Sequence, residues 1–235
     1  MISVCMATHN GAKYIKEQLD SILPQLSFED EIIISDDGSS DSTLKIIDDY
    51  KDCRLKVFNY KHDRKYKINN IYAAHNFENA LLNAKGDIIF LADQDDVWFD
   101  NKVVECKEAL KEYDLVIHNL LNTDTEMNPI SLHFVNGFRW KNIFMKSNSY
   151  HGCAMAFRKE VLNYSLPFPS YLPLHDYWIG FLTELKGKVI YIDKPLMYYR
   201  LHENNISTHN NHSLFYKIKH RFYIALHLYK RFLFT

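Results

Sequence analysis

Short apolar runs alternate with helical periodicity along the first half of the chain. Ile2 to Ala7 is almost continuously apolar and ends in the polar turn His9-Asn10-Gly11, the pattern of a buried strand. Ile15, Leu19, Ile22 and Leu23 follow at helical spacing, and Pro24 closes that helix. Glu31 to Ser35 predicts a second strand, ending in the turn Asp36-Asp37-Gly38-Ser39-Ser40. Asp41 or Ser42 then stands where a helix carrying Leu44, Ile47 and Tyr50 needs its cap. Leu55 to Tyr60 predicts a third strand, and Phe77, Ala80, Leu81 and Ala84 a third helix. Asp87 to Ala92 predicts a fourth strand that breaks into Asp93-Gln94-Asp95-Asp96. A helix over about 101–111 and a strand over 115–118 complete the alternation.

Apolar strands alternating with helices predict an α/β domain, a mainly parallel sheet covered on both faces. In such sheets ligands sit beyond the carboxyl ends of the strands. The polar clusters at Thr8–Asn10, Asp36–Asp41 and Asp93–Asp96 all follow strand ends, so they are expected on one rim. Beyond residue 118 the pattern loosens. His151 to Phe157 predicts a strand, followed by a loop with Pro167, Pro169 and Pro173, a helix from about His175 and a strand over 188–192. The segment 213–235 predicts an amphipathic helix with Phe215, Ile218, Phe222, Ala225, Tyr229 and Phe232 on one stripe. The expected organisation is a main domain over 1–206 and a C-terminal basic, aromatic segment over 207–235.

Composition narrows the class. A formal charge of −1 offers no general attraction for nucleic acid. Cys5, Cys53, Cys106 and Cys153 are far apart with no CxxC pair, which argues against a zinc ribbon or a redox dithiol. The opening residues MISVCMATHNG lack a basic stretch and an apolar leader. No run approaches the roughly 18 apolar residues of a membrane span. The expected place is the cytoplasm, at or near the inner face of the membrane. There the segment's Lys217, Lys219, Arg221, Lys230 and Arg231, with no acidic residue after Glu203, would favour an anionic surface. A helix packed on the domain itself or on a partner subunit is the other reading.

The chemistry concentrates in Asp93-Gln94-Asp95-Asp96-Val97-Trp98. Three carboxylates in four positions repel one another unless a cation or donors compensate, and hard cations such as Mg2+ or Mn2+ share such oxygens with substrate phosphates. After the second strand, a carboxylate at the Asp36-Asp37-Gly38 turn can accept from a base N–H or a ribose hydroxyl, as acidic residues do in dinucleotide folds. Asp176 opens a helix beside Tyr177 and Trp178. It is either a cap or a base in a partly dry site. Trp98 and Trp178 are either core residues or faces for a sugar ring. The residues between Lys61 and His75 read as a solvated loop or a loop over the donor.

The succession Ala7-Thr8-His9-Asn10-Gly11, Asp36 to Thr43, and Asp93-Gln94-Asp95-Asp96 resembles the family 2 glycosyltransferases of GT-A fold. Gly152-Cys153-Ala154-Met155-Ala156-Phe157, His175-Asp176-Tyr177-Trp178 and Tyr199 to Asn205 resemble the rhamnosyltransferase-like branch of that family. The resemblance implies an inverting transferase with a UDP- or dTDP-sugar donor and a surface-polysaccharide or lipid-linked glycan acceptor. It implies nucleotide contacts from Thr8, Asn10 and Asp37, with Asp93 near the ribose. Metal ligation is implied for Asp95, with Asp96 able to exchange roles, and for the late ligand His202. Asp176 falls where the family has its base. His175 departs from the acidic residue the wider family carries there, which leaves that position's role open. Two other readings stay in view. Asp93 to Val97 also fits the DxDxV pattern of haloacid-dehalogenase-type phosphatases, though after the fourth strand rather than the first. A nucleotide-sugar-binding module without turnover would keep Asp37 and the acidic turn but has no need of Asp176.

Overall fold

A computed structural model of the chain describes residues 1–60, 69–135, 150–203, 205 and 222–231. Its framework is one nine-stranded sheet with helices on its faces. The strands are β1 (Ile2–Thr8), β2 (Glu31–Asp36), β3 (Leu55–Asn59), β4 (Ile88–Ala92), β5 (Val97–Trp98), β6 (Leu115–Thr123), β7 (Pro129–His133), β8 (Met155–Arg158) and β9 (Val189–Arg200). The helices are α1 (Ile15–Ile22), α2 (Thr43–Asp49), α3 (Asn69–Asn83), α4 (Lys102–Ala109), α5 (Leu162–Ser165), α6 (His175–Lys186) and α7, over 222–231.

The order is β3-β2-β1-β4-β8-β6-β9-β5, with β7 on β6. β3, β2, β1 and β4 run parallel, as their apolar runs predict. The second half brings in the antiparallel pairs. β8 is antiparallel to both β4 and β6, β5 to β9 and β7 to β6, while β9 runs parallel to β6. The sheet is therefore mixed. The reason lies in connectivity: tight returns such as β6–β7 need only a short turn, whereas a parallel neighbour needs a crossover. Val4, Cys5, Met6, Ile32, Ile33, Ile34, Ile89, Phe90 and Leu91 are all fully buried, so β1, β2 and β4 are covered on both faces.

Several elements differ from their predicted extents. Gly152–Ala154 form a 3-10 turn, and the strand expected over 151–157 starts only at Met155 and runs on to Arg158. β6 and β9 run further than expected, and α3 begins inside the region read as a loop. The rest of that region, 61–68, lies outside the described residues, as do Phe215, Lys217, Ile218, Lys219, Arg221 and Phe232. Within α7, Ile224 and Leu228 are buried, while Phe222, Leu226 and Tyr229 face outward. The helix thus docks on the domain along one stripe. No described helix is long and apolar enough to cross a membrane.

Candidate active site

The order in which strands are added switches sides at β1: β2 lies on one side of it and β4 on the other, all three parallel. A crevice opens beyond the strand ends at such a switch, and three polar turns meet there. The end of β1 is tied to the end of β2. Thr8 Oγ1 donates to Asp36 Oδ1 at 2.9 Å, and the Asp37 N–H donates to the Thr8 carbonyl at 2.9 Å. Asp36 also accepts from the Ser39 N–H and hydroxyl at 2.8 and 2.5 Å. Gly38 has a φ of 68°, the left-handed conformation this turn requires. Asn10 Oδ1 accepts from the Ser40 N–H at 2.8 Å, and the Asn10 N–H donates to Ser39 Oγ at 2.8 Å. Thr8 and Asn10 therefore build the walls of the turn. Asp37, partly exposed, is held by its backbone, with its carbonyl 2.8 Å from His9 Nδ1.

The end of β4 is tied to the same place by Gln94. Its Oε1 accepts from the His9 N–H at 3.0 Å and its Nε2 donates to the His9 carbonyl at 3.1 Å. A Cβ on Gly11 would lie 2.3 Å from Gln94 Oε1, so a side chain there would push the Gln94 amide out of its place on His9. Gln18 Nε2 adds a bond to the Asp93 carbonyl at 2.9 Å.

Within the acidic turn the three carboxylates separate. Asp95 Oδ2 lies 2.8 Å from His202 Nε2, and the two side chains are 15% and 9% exposed. Asp96 is fully buried, accepting the Arg200 backbone N–H at 3.1 Å, and its Oδ2 has no partner. Asp93 is partly exposed and shares a neighbourhood with Asp96 and Cys153, ligand atoms of the three lying within 4.8 Å of one another. Burial, then the charges of Asp95 and Asp176, push the Asp93 carboxyl upward, against the Cys153 thiol and Lys102. Burial and the charges of Asp95 and Asp93 push Asp96 well up, against the Arg200 N–H and Lys102.

Two groups are thus conceivable cation sites, and chemistry separates them. Asp93, Asp96 and Cys153 mix carboxylates with a soft sulfur, which Mg2+ and Mn2+ disfavour. Beside them already stands the Lys102 ammonium, fully buried, 2.6 Å from the Cys153 carbonyl and 4.1 Å from the Trp98 ring. That group carries its own cation. Asp95 and His202 offer a carboxylate and an imidazole at the rim, a donor set that fits a divalent ion completed by phosphate oxygens and water. Of the expected metal residues, Asp95 and His202 are together, and Asp96 faces the interior instead.

Arg200 organises this arrangement and was not singled out from the sequence. It is 1% exposed, and its Nε donates to the Asp95 carbonyl at 2.9 Å and its Nη1 to the Thr125 carbonyl at 2.7 Å. Its Nη2 pairs with Glu17, and the guanidinium lies 4.4 Å from the Tyr14 ring. Tyr14 also meets the His202 ring at 5.1 Å. Asn205 closes the turn, accepting from the His202 N–H at 2.5 Å and donating to the Arg200 carbonyl at 3.1 Å.

Asp176 stands in the first turn of α6, nearly buried, where the Tyr177 N–H donates to its Oδ1 at 2.7 Å. It is near enough to Asp93 for their charges to interact. The Gly152 turn lies against it; a Cβ there would be 2.9 Å from His175 Nε2 and 3.7 Å from Asp176 Cβ. His175 itself is stacked on Phe77 at 4.2 Å, and burial pushes it down to about 3, so it is neutral. Trp98 and Trp178 are corrected to core residues, 2% and 0% exposed. Trp98 is closed in by Phe90 and Lys102, and Trp178 donates from Nε1 to the Ser165 carbonyl at 2.8 Å.

Comparison with known proteins meets this geometry. The pattern of Glycosyl transferase family 2 matches residues 3–165, more than half of the chain. The dTDP-rhamnosyl transferase RfbG of Shigella flexneri is 29% identical over 226 residues, 85% of this chain and 72% of the relative. Glycosyltransferase GlyG of Streptococcus pneumoniae serotype 4 is 32% identical over 128 residues, 53% of this chain and 40% of the relative. Among solved structures, TarS 1-349 of S. aureus in complex with UDP-GlcNAc has a TM-score of 0.66 at 19% identity, over 90% of this chain and 62% of that one. Mannosyltransferase PcManGT from Pyrobaculum calidifontis, in complex with GDP-Man and Mn2+, has a TM-score of 0.62 at 18% identity, over 88% and 59%. The chain spans about three fifths of the length of these two structures. The likeness to them shows the GT-A fold. Because the family pattern runs from β1 through α5 and so takes in all three turns of the rim, the chain belongs to glycosyl transferase family 2.

Proposed function

We propose that this chain transfers a sugar, with inversion, from a nucleoside-diphosphate donor to a hydroxyl of a glycan or lipid-linked glycan. The observation that carries the reading is the meeting of Asp95–His202, Asp93 and Asp176 beside the Asp37 turn. Asp37 and the turn built by Thr8 and Asn10 take the nucleoside, and Asp93 faces its ribose. Asp95 and His202 would hold Mn2+ or Mg2+, which when bound neutralises charge on the departing diphosphate. Asp176 accepts the acceptor hydroxyl proton as the new C–O bond forms at the anomeric carbon. The bond to the diphosphate oxygen breaks, and the nucleoside diphosphate leaves with that bonding pair. Asp176 is suited to this because it is nearly dry and fixed on a helix. The Mn2+ in the PcManGT complex and the UDP-GlcNAc in the TarS complex support a metal and a nucleotide sugar. The relative described as a dTDP-rhamnosyl transferase makes dTDP-rhamnose the first donor to test.

Thermal shift with nucleoside diphosphates and nucleotide sugars, each with and without Mn2+, tests the reading. Ligand at a hundredfold excess over Kd stabilises by about 2.7 kcal/mol. A manganese-dependent rise with UDP or dTDP compounds is expected; no rise with any nucleotide would count against it.

The same reading places the protein at the cytoplasmic face of the membrane. Phe222 and Tyr229, 72% and 63% exposed, lie on the outward side of α7 with Lys230. Aromatic and basic groups on one helix face suit an anionic interface. Sedimentation with anionic vesicles at low salt is expected and should weaken with added salt. Protein that stays in the supernatant at low salt would remove the membrane from the proposal.

A further inference from the structure

The segment between α5 and α6 leads directly to Asp176, and side chains from two remote elements grip its backbone. From α7, Arg231 Nη1 donates to the Leu166 carbonyl at 2.6 Å and Nη2 to the Pro167 carbonyl at 2.5 Å. A guanidinium fork on two successive carbonyls fixes orientation as well as distance. From α3, Glu78 accepts the N–H of the next residue, Phe168. Glu78 also lies 2.6 Å from His75 Nδ1, and His75 Nε2 is 3.2 Å from the Ser170 carbonyl. Tyr223 of α7 meets Tyr171 edge to face at 6.2 Å.

The grip reaches α6 itself. Trp178 donates to the Ser165 carbonyl at 2.8 Å, and the Arg231 guanidinium lies 5.7 Å from the Trp178 ring. Trp178 is two residues beyond Asp176 on the same helix. The helix start has no side-chain cap, with Leu174 at that position. Its direction therefore depends on what it packs against. Ile224 and Leu228 of α7 are buried as well.

We infer that α7 is a working part of the catalytic unit, and that Arg231 is a positioning residue for Asp176, acting through the 165–168 backbone and Trp178. This rests on the reading of Asp176 as the base. General-base catalysis requires the carboxylate within hydrogen-bond reach of the acceptor hydroxyl, and misplacement by about 1 Å can cost on the order of 10²-fold. The Arg231 contacts described above fall on Leu166, Pro167 and Trp178, whereas the donor side is built on β1, β2, β4 and β9.

The test measures kcat and donor Kd for Arg231→Met, Arg231→Lys and Asp176→Asn, well below each variant's melting temperature. Arg231→Met is expected to lower kcat about tenfold or more with donor Kd unchanged. Arg231→Lys, able to reach one carbonyl but not both as a fork, should recover part of the loss. Should Arg231→Met fail to fold, Glu78→Gln loosens the same backbone from α3 and carries the same expectation. A folded Arg231→Met with wild-type kcat overturns the inference, as does a fall in donor affinity matching the fall in kcat. Asp176→Asn separates the two levels: if it turns over normally, the reading of the base has failed rather than the role of Arg231.

Discussion

Asp95 and Asp96 are neighbours in sequence, yet Asp95 meets His202 at the rim while Asp96 is fully buried against Arg200 and Lys102. A carboxylate in each place does different work: one stands where the proposed cation would bind, the other ties the turn to the core. Arg200 connects both, and its bonds predict what its loss does. Arg200→Met leaves the Asp95 and Thr125 carbonyls without their donor, each costing roughly 1–3 kcal/mol where buried. A lower urea midpoint is expected, together with weaker manganese-dependent donor binding. A variant of unchanged midpoint and affinity would contradict this role. None of these partnerships has a local signature, because Arg200 is 105 residues from Asp95 and 183 from Glu17. Gln94 on His9 is equally silent, since a glutamine between aspartates looks like one more polar turn residue. Trp98 and Trp178 were ambiguous for the same reason: an aromatic beside a functional aspartate reads alike whether it faces a ligand or the core.

At the scale of elements, continuous apolar runs made β1, β2 and β4 legible, because both faces of those strands are buried. β7 was not, since four of its five residues are exposed and it lies at an edge. β5 has only two residues. β9 continues past Ile192 through Asp193, Lys194 and Pro195, where its register with β6 shifts. The start of β2 carries a testable ion pair. Burial pushes Glu31 upward, but bonds from Lys56, Ser3 and the Lys85 N–H overcome this and hold it below its ordinary value. A depressed carboxylate stabilises the fold above its unfolded value, about 4.3, and that contribution is lost as pH falls through the folded value. Lys56→Met should therefore lower the urea midpoint near pH 7, and the difference from wild type should shrink as pH drops below about 4. A difference that grows on acidification would contradict the assignment.

For the whole molecule, one sheet carries both halves of the proposed reaction. Its parallel half, β3-β2-β1-β4, presents the nucleotide turns, and β9 brings His202 to Asp95 from the other half. Asp176 arrives on α6, which packs through the fully buried Trp178 and Ile179. α7, which lies beyond the expected boundary at 206, reaches back to Leu166 and Pro167. The direct measurement is release of nucleoside diphosphate from the donor chosen by thermal shift. The assay contains Mn2+ and glycan and lipid extracts as acceptor, and compares wild type with Asp176→Asn. Wild-type protein is expected to release nucleotide in step with sugar transfer, and Asp176→Asn to be slower by about 10²–10⁴ at unchanged donor affinity. Donor binding without release by the wild type, or equal release by both proteins, would contradict transfer with Asp176 as its base.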